Sequence, residues 1–302
     1  MLNGNFLWFL YLLLSLSRLA ANRQKYGTIL LDIRELTSKP EPDDWAFVFS
    51  GHNAITPVRR DPGSPWKLCE ASSHFLIDVT AGVPLGKWDG KPAWAFSVPE
   101  EAVDTTAQVS NSLYSLLGRV HDSLFSAHGR AYQLLNWLDT HRYCGRCGTL
   151  SSVLESGNAI LCSSCSLRVY PRVAPCVIVL VTKRDKMLLA AAAGFKRRFY
   201  STLAGFMEPG ENCEQAVRRE VLEEVGIEVS SICYFSSQPW PFPSQLMLGF
   251  TAEWQAGEIN PDPNEIEDAA WYCADNMPPT PPNASISGQL ISNFINLKNG
   301  SN

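Results

Sequence analysis

The chain has 302 residues, of which 45% are hydrophobic and 18% charged, and its formal net charge at pH 7 is −5. This composition is ordinary for a globular protein, and the length allows two or three domains. The negative charge argues against a broad basic face for nucleic acid. Nine cysteines, an odd number, argue against a disulfide-linked scaffold.

The first 23 residues stand apart, and we interpret them as an apolar leader or targeting segment. Residues 6–16 form a largely apolar run that is too short to cross a bilayer comfortably. The run is similar to the core of a signal peptide, but no Lys or Arg precedes it. Arg18 and Arg23 follow it, and no acidic residue comes before Asp32, as in a mitochondrial presequence. Mitochondrial, cytosolic, membrane-tethered and secreted locations therefore all stay open.

Residues 24–140 are predicted to form a β-rich N-terminal domain that ends in a helix. Short apolar runs at 27–31, 45–50 and 75–79 alternate with turn-forming Pro, Gly and Asp residues, which is typical of strands. Residues 119–140 carry apolar side chains at helical spacing, which predicts the closing helix.

Four cysteines form two C-x-x-C pairs with fourteen residues between them: Cys144 with Cys147, and Cys162 with Cys165. Pairs this close predict a tetrahedral zinc site with four thiolate ligands, in a ribbon over residues 141–170. A redox pair is the alternative, but it would need only one C-x-x-C. Four protein ligands leave no open position, so the zinc is predicted to be structural. Thiolate ligands require a reducing compartment, which favours a mitochondrial or cytosolic location.

Residues 171–297 are predicted to form a C-terminal α/β/α sandwich, so the whole chain is expected to be an α+β protein of several domains. The apolar run at 176–181 predicts a buried strand, with the run at 187–190 as its hairpin or parallel neighbour. Two further strands and a last helix are predicted from runs at 231–235, 246–254 and 285–297.

A helix is also predicted before Gly226, because Asn212 and Gln215 make a capping-box pattern and the glycine suits a left-handed position after the last turn. On this helix Glu220, Glu223 and Glu224 lie at positions i, i+3 and i+4, so their like charges share one face and repel. Either the face is solvated, as acidic helix faces usually are, or a divalent cation binds there. Oxygen ligands favour Mg²⁺ or Mn²⁺ over zinc.

Residues 237–243 read S-Q-P-W-P-F-P, which places three prolines and two aromatic residues in a short segment. Proline fixes φ and removes hydrogen-bond donors, so we predict a rigid loop rather than the interior of a strand. Such a loop would hold Trp240 and Phe242 as a stacking platform for a planar base. A proline-stiffened core loop is the alternative.

The segment 205–227 resembles a complete Nudix box, G-x₅-E-x₇-R-E-U-x-E-E-x-G-U, where U is a bulky aliphatic residue. The resemblance implies hydrolysis of a nucleoside diphosphate linked to another group, with Mg²⁺ or Mn²⁺ as cofactor. The residues that fill the fixed positions are Gly205, Glu211, Arg219, Glu220, Val221, Glu223, Glu224, Gly226 and Ile227.

The cysteine ribbon, the Nudix box and the S-Q-P-W-P-F-P segment together resemble the NADH pyrophosphatases, from about residue 75 onward. This resemblance implies that NADH or NAD⁺ is hydrolysed to NMNH or NMN and AMP. It also implies removal of NAD caps from RNA 5′ ends, and a homodimer. The open alternatives are a Nudix hydrolase acting on another substrate such as ADP-ribose, and a zinc-ribbon binding module with an inactive Nudix domain.

The resemblance also assigns roles. Glu220, Glu224, Glu265 and the carbonyl of Ala204 are implied metal ligands, and Glu223 is implied as an outer ligand or general base. Arg219 is expected to pair with Glu211 and brace the loop and helix, with a contact to substrate as the alternative. The implied substrate-binding residues are Tyr170, Phe206, Gln238, Pro239, Trp240, Pro241, Phe242, Pro243, Ser244, Gln245 and Ser287.

Two of these positions depart from the family pattern. Gln245 stands where the family has serine, and Ser287 stands where it has alanine in a segment that here lacks both family arginines. The metal chemistry is expected to be unaffected by these changes, whereas the preferred nucleotide depends on them. Tyr170 has a second interpretation, as packing between the ribbon and the Nudix domain.

Overall fold

The computed structural model leaves the predicted leader at 1–23 and the predicted strand at 27–31 outside the residues it describes. Within the described part, no helix is both long enough and apolar enough to cross a membrane. The described residues are 39–153, 159–194 and 199–299.

The described chain folds into two compact units. The first contains residues 39–112 and 120–131, and the second contains 113–119 and 132–299. The domain boundaries expected at residues 23, 140, 170 and 297 stay a prediction.

The first unit is a mixed β-sheet with one short helix and the first half of a long one. Its elements are β1 (Trp45–Ser50), β2 (Asn53–Pro57), β3 (Trp66–Lys67), α1 (Leu68–Phe75), β4 (Val83–Trp88), β5 (Lys91–Ser97) and β6 (Gln108–Ser112), with 3-10 turns at Val79–Ala81 and Glu100–Ala102. The strand order is β4-β5-β1-β2-β6, with β3 also paired to β1.

The strand predicted at 45–50 is confirmed as β1, but the strand predicted at 75–79 is wrong. Phe75 ends helix α1, and Leu76 follows it in the left-handed region with φ 51°. The carboxylate of Asp78 accepts hydrogen bonds from the backbone and hydroxyl of Thr80, at 2.9 and 2.6 Å. A local bond of this kind competes with strand pairing and holds the chain in a turn.

The second unit contains the cysteine ribbon and a larger sheet flanked by helices. Its elements are α2 (Leu113–Leu116), the second half of α3 (Asp122–Thr140), β7 (Ser152–Val153), β8 (Ile160–Leu161), β9 (Arg168–Val169), β10 (Ala174–Lys183), β11 (Lys186–Ala192), β12 (Tyr200–Ser201), β13 (Leu203–Phe206), α4 (Cys213–Val225), β14 (Glu228–Trp240), β15 (Gln245–Ala256), β16 (Ile266–Cys273) and α5 (Ile286–Asn299). Strands β7, β8 and β9 form the ribbon sheet. The larger sheet has the order β12-β11-β10-β15-β14, with β13 on β10 and β16 on β11.

The larger sheet lies between α4 and α5, so the predicted α/β/α sandwich is confirmed. Strand β10 is buried on both faces because its side chains alternate between two apolar cores. Val177, Val179 and Val181 pack in the core that includes α4. Ile178 and Leu180 pack in the core that includes α5. Strand β11 forms the hairpin with β10, and β15 pairs with β10 in parallel.

Helix α4 begins and ends as predicted. Asn212 and Gln215 form the reciprocal capping box, and Gly226 ends the helix in the left-handed region with φ 73°. Among the three glutamates of the acidic face, Glu220 and Glu224 are buried and Glu223 is exposed. The face is therefore not simply solvated.

The prediction of a loop rather than a strand interior at 237–243 is wrong for its first half. Strand β14 continues to Trp240, and Pro239 pairs with Leu246 of β15. This is tolerated because β14 is an edge strand, where a residue without an N–H can face away from the ladder. Only Pro241, Phe242 and Pro243 lie in the turn that follows.

The buried His128 of helix α3 predicts acid sensitivity of the first unit. Its Nε2 donates to the carbonyl of Gly63 at 2.6 Å, its Nδ1 has no partner, and its ring packs edge-on against Phe47 and Phe49. Burial lowers the pKa of His128 from 6.5 to about 4. The folded state therefore binds a proton less readily than the unfolded chain, and stability falls as pH drops from about 6.5 towards 4.

We expect His128 to lower the free energy of unfolding by about 2 kcal/mol between pH 7.5 and pH 5. Denaturant titrations at the two pH values should therefore show a smaller loss for His128→Gln than for the unmodified chain. The exposed His52→Gln is the control and should keep the full loss. Equal losses in all three proteins would contradict the assignment.

Candidate functional site

The carboxyl group of Glu220 occupies the space beside Gly205, the first residue of the Nudix-box segment. Strand β13 passes so close to helix α4 that a Cβ built on Gly205 would overlap the Glu220 carboxyl group. The backbone of Gly205 does not have a positive φ, so the need for glycine here comes from space and not from conformation. Together, β13 and α4 hold the side chain of Glu220 in a cradle that only glycine leaves open.

Glu224 lies one helical turn further along and is also buried. The backbone N–H of Ala204 donates a hydrogen bond to its carboxylate, while Oε2 is buried without a partner. Burial and the charges of Glu220 and Glu265 raise the pKa of Glu224 to about 8. A bound cation would offset both causes, so a buried carboxylate oxygen without a partner fits a divalent metal ligand.

Glu265, the third predicted carboxylate ligand, lies in the loop before β16, and the backbone of this loop is bonded to α4. The N–H of Asp262 donates to the carbonyl of Glu224 at 2.9 Å, and the N–H of Ala193 donates to the carbonyl of Glu265 at 2.8 Å. These bonds tie the loop to the C-terminal turn of α4 and to the end of β11. Burial first, and the charge of Glu265 to a lesser degree, raise the pKa of both Glu220 and Glu224. The side chain of Glu265 is exposed, and among the described residues these three carboxylates do not form a group as compact as the four ribbon cysteines.

Arg219 joins the loop before α4 to the acidic face. Its predicted pairing with Glu211 is present. Its guanidinium donates to Glu211 at 2.6 and 3.1 Å, to Glu220 at 2.7 Å, to Glu223 at 3.0 Å, and to the carbonyl of Phe206 at 2.8 Å. The hydrogen bonds from Arg219 lower the pKa of Glu211, and those to Glu211 raise the pKa of Arg219. A guanidinium group is planar and has five N–H donors, so one arginine can hold several acceptors at once.

A cavity of about 700 Å³ opens beside this cluster and is lined by Ala204 and Glu224. Its wall is mostly apolar, with aromatic rings from Tyr114 and Phe199. Apart from Ala204 and Glu224, the sequence predicted none of the lining residues. Those lining residues are Tyr114, Ala190, Ala192, Phe199, Ser201, Thr202, Leu203 and Ile266.

Ser287 supports this cavity from behind instead of lining it. Its buried hydroxyl lies 2.8 Å from Ser201 Oγ, and it accepts bonds from the N–H of Thr202 at 3.2 Å and the hydroxyl of Thr202 at 2.9 Å. Both partners line the cavity. An alanine at residue 287 would leave these groups without this bond, so the departure from the family pattern has a structural consequence.

The predicted substrate-binding segment lies next to the cavity and does not line it. The Gln238 amide donates to the carbonyl of Ala284 and accepts from the N–H of Ile286, both at 2.8 Å, so it holds the start of α5. Phe242 stacks edge-on with Trp240 at 5.0 Å and with Tyr114 at 6.0 Å. Tyr114 is thus the residue that connects this segment to the cavity.

The other predicted substrate residues fall into two groups. Tyr170 and Phe206 are exposed aromatic side chains outside the cavity wall. Pro239, Pro241, Pro243 and Gln245 belong to the β14–β15 strand ends and turn, where Trp240 pairs with Gln245. Ser244 accepts a backbone hydrogen bond from Ala174 at 2.9 Å. The substrate roles of these residues stay predictions.

The four ribbon cysteines are brought together as predicted. Their Sγ atoms all lie within 4.8 Å of one another, which fits a single tetrahedral ion. Each pair forms the same turn: the N–H of Cys144 donates to the carbonyl of Thr149, and that of Cys162 to the carbonyl of Leu167, both at 2.9 Å. Hydrogen bonds with Thr149 lower the pKa of Cys147 to about 6, whereas burial and the neighbouring cysteines raise the pKa of Cys165 to about 11.

Comparison with known proteins agrees with this arrangement. The family model of the NUDIX domain matches residues 171–294, and that of the NADH pyrophosphatase zinc ribbon domain matches residues 139–170. The chain is 44% identical over 211 residues to the NAD-capped RNA hydrolase NudC of Stutzerimonas stutzeri (strain A1501), covering 70% of this chain and 76% of that protein. It is 41% identical over 228 residues to the protein of the same name from Pseudomonas putida (strain W619), covering 74% and 81%.

Among solved structures, the chain is similar to a NUDIX hydrolase from Nitrosomonas europaea, with a TM-score of 0.46 and 22% identity over 53% of this chain and 93% of that one.

The Gly205 cradle makes a direct prediction about metal binding. In Gly205→Ala the new methyl group displaces the Glu220 carboxyl group, so we expect Mn²⁺ to lose most of its thermal stabilisation of the protein. Overpacking of this kind also costs about 1–3 kcal/mol of folding free energy. Thermal unfolding with and without Mn²⁺ measures both effects.

Gly145→Ala is the matched control, because a Cβ at that glycine meets open space. This variant should keep the full Mn²⁺ effect. If Gly205→Ala kept it as well, Glu220 would not be a ligand in the proposed position.

Proposed function

This chain belongs to the Nudix family, in the branch that carries an NADH pyrophosphatase zinc ribbon, and we propose that it hydrolyses the pyrophosphate bond of NADH and NAD⁺. The products are NMNH or NMN and AMP. We extend the proposal to NAD caps at RNA 5′ ends, where the same bond is broken, because the two curated relatives described above are NAD-capped RNA hydrolases. In this protein, as in any Nudix hydrolase, the reaction needs a divalent metal.

The observation that carries the proposal is the buried carboxylate pair at the edge of an apolar cavity. Glu220 and Glu224 have low exposure, 8% and 6%, and Glu224 borders the cavity together with Ala204. A dinucleotide carries a charged pyrophosphate next to planar rings. Its binding site therefore needs metal-binding carboxylates beside an apolar cavity. A cavity of about 700 Å³ is within the range of small-molecule sites.

Glu220, Glu224, Glu265 and the carbonyl of Ala204 would hold Mg²⁺ or Mn²⁺, since all of them offer hard oxygen ligands. A metal bound there neutralises the pyrophosphate and lowers the pKa of a water molecule. The residue Glu223 is exposed on the same helix, where it can accept a proton or hold a water-bound ion.

Arg219 acts through the carboxylates and is a positioning residue. Its bonds to Glu220 and Glu223 fix both side chains, and its bond to the carbonyl of Phe206 fixes the end of β13. Its remaining N–H groups donate to Glu211, so every donor of the guanidinium already has an acceptor within the protein. We therefore assign it to orientation of the acidic face and not to substrate.

The apolar cavity supplies the recognition of a planar ring. Tyr114 and Phe199 offer aromatic faces, and the small side chains of Ala190 and Ala192 leave room between them. Ser287 holds the polar part of the wall through Thr202. Nucleotide preference should therefore depend on residues outside the Nudix box.

Two further proposals come from the family resemblance. We propose a homodimer, supported by the exposed apolar side chains of Tyr170 and Val173, and the mass of the purified protein in solution tests it. We also propose a mitochondrial or cytosolic location, because a zinc site with four thiolates requires reducing conditions.

Glu224→Gln should remove hydrolysis while leaving the fold intact. The amide keeps the volume but cannot bind the metal as a carboxylate does, so we expect kcat for NADH with Mn²⁺ to fall at least about 100-fold. The exposed Glu228→Gln is the matched control and should keep full activity. Thermal unfolding of the metal-free proteins checks the fold, and unchanged NADH turnover in Glu224→Gln would refute the metal assignment.

A substrate panel tests the choice of nucleotide. We expect kcat/KM to be higher for NADH, NAD⁺ and NAD-capped RNA than for ADP-ribose, with NMNH or NMN and AMP, or 5′-monophosphate RNA, identified by mass spectrometry. Equal values for ADP-ribose would contradict the proposed substrate. No hydrolysis of any member would favour a binding module with an inactive Nudix domain.

A further inference from the structure

A second cavity in the second unit, of about 490 Å³, has no role in the reaction described above. Its wall comes from the last turns of α3, the cysteine ribbon, the chain before β10 and the turn before β15. The side chains that matter for its chemistry are Asn136, Trp137, His141, Tyr143, Arg172 and Ser244.

The wall combines a positive charge with aromatic rings. Arg172 is exposed, and the described residues of this wall include no carboxylate, although Cys144 and Cys162, two of the four predicted zinc ligands, also border the cavity. Tyr143 is 67% exposed, so its ring is available to a ligand. The indole N–H of Trp137 is buried and has no partner among the described residues. Arginine for phosphates and exposed aromatic rings for stacked bases are the features that bind single-stranded nucleic acid.

The second cavity is connected to the catalytic cluster along one strand. Ser244, in its wall, accepts a backbone bond from Ala174 at the start of β10. Four residues further along β10, Ile178 pairs with Ala204 beside Glu224. From Arg172 to Ile178 the chain rises by roughly 20 Å at strand spacing. At about 3.4 Å per stacked nucleotide, a single strand of roughly six nucleotides covers this distance.

We propose that this second cavity binds the RNA chain that follows the cap adenosine, with Arg172 on a phosphate and Tyr143 stacked on a base. The inference rests on the proposed hydrolysis of NAD-capped RNA and deepens it. The zinc ribbon then has a role beyond stability, because it presents Tyr143 to the substrate. NADH and NAD⁺ have no RNA chain, so this cavity should not contribute to their hydrolysis.

The test compares NADH with NAD-capped RNA of 1, 2, 4, 8 and 16 nucleotides in the full-length protein. In Arg172→Ala and Tyr143→Ala we expect kcat/KM for the longer RNAs to fall at least about fivefold, the low end for losing one stacked base. Values for NADH and for the shortest RNA should not change. For Arg172→Ala, the slope of log KM against log salt for long RNA should fall by about 0.7, as expected for one lost phosphate contact to a single strand.

Arg168→Ala and Leu150→Ala are the matched controls. Arg168 is another exposed ribbon arginine, and Leu150 is the exposed bridge partner of Tyr143; neither lines this cavity. Both controls should leave every substrate unaffected. Zinc content is measured in all four variants, so that a damaged ribbon is recognised.

Three outcomes would overturn the proposal. Equal loss for NADH and long RNA would mean that the cavity serves the dinucleotide itself. No loss for any RNA would mean that it does not bind the chain. Loss of zinc in both Arg172→Ala and Arg168→Ala would mean that these arginines only balance the thiolate charge. Absence of NADH hydrolysis in the unmodified protein would instead count against the proposed function, so the two failures are distinguishable.

Discussion

The carboxylates of Glu220 and Glu224 are buried against strand β13, which is electrostatically unfavourable. Several contacts within the second unit offset this cost. A charge removed from water is destabilising unless it is paired or hydrogen-bonded. Arg219 meets this need for Glu220, and the N–H of Ala204 meets part of it for Glu224. The Oε2 atom of Glu224 remains buried without a partner, and a divalent cation bound there would offset its charge.

The same constraint explains the local sequence. Gly205 must lack a side chain because the Glu220 carboxyl group fills that space. Glu211 must face Arg219, because its carboxylate receives two of the guanidinium's hydrogen bonds and leaves the others for Glu220, Glu223 and the carbonyl of Phe206. A helix, the loop before it and a short strand are therefore one mechanical unit.

A second set of contacts builds the cavity from further away. Gln238 of β14 holds the start of α5, and Ser287 of α5 holds Ser201 and Thr202 in the cavity wall. Gln238 and Ser287, whose predicted contacts with substrate stay predictions, thus also hold the wall in place. Tyr114 takes the position beside Phe242 at the cavity, from a helix that precedes both the ribbon and the Nudix segment.

Local patterns in the sequence were sufficient for the caps of α4, the cysteine pairs and the adjacent strands β10 and β11. The strand expected at 75–79 failed because Asp78 makes a local turn, and the loop expected at Pro239 failed because edge pairing was invisible in the sequence. Neither error touches the acidic helix.

The sequence by itself determined the helix before Gly226, its caps and the shared face of Glu220, Glu223 and Glu224, because helical spacing and capping are properties of neighbours in the chain. Only the tertiary structure decided which glutamates are buried, which wall faces Glu224, and that Arg172, Trp137 and Tyr143 share a second cavity. Those relations join segments far apart in the chain, and their distances depend on how sheets and helices pack. No spacing along the sequence records them.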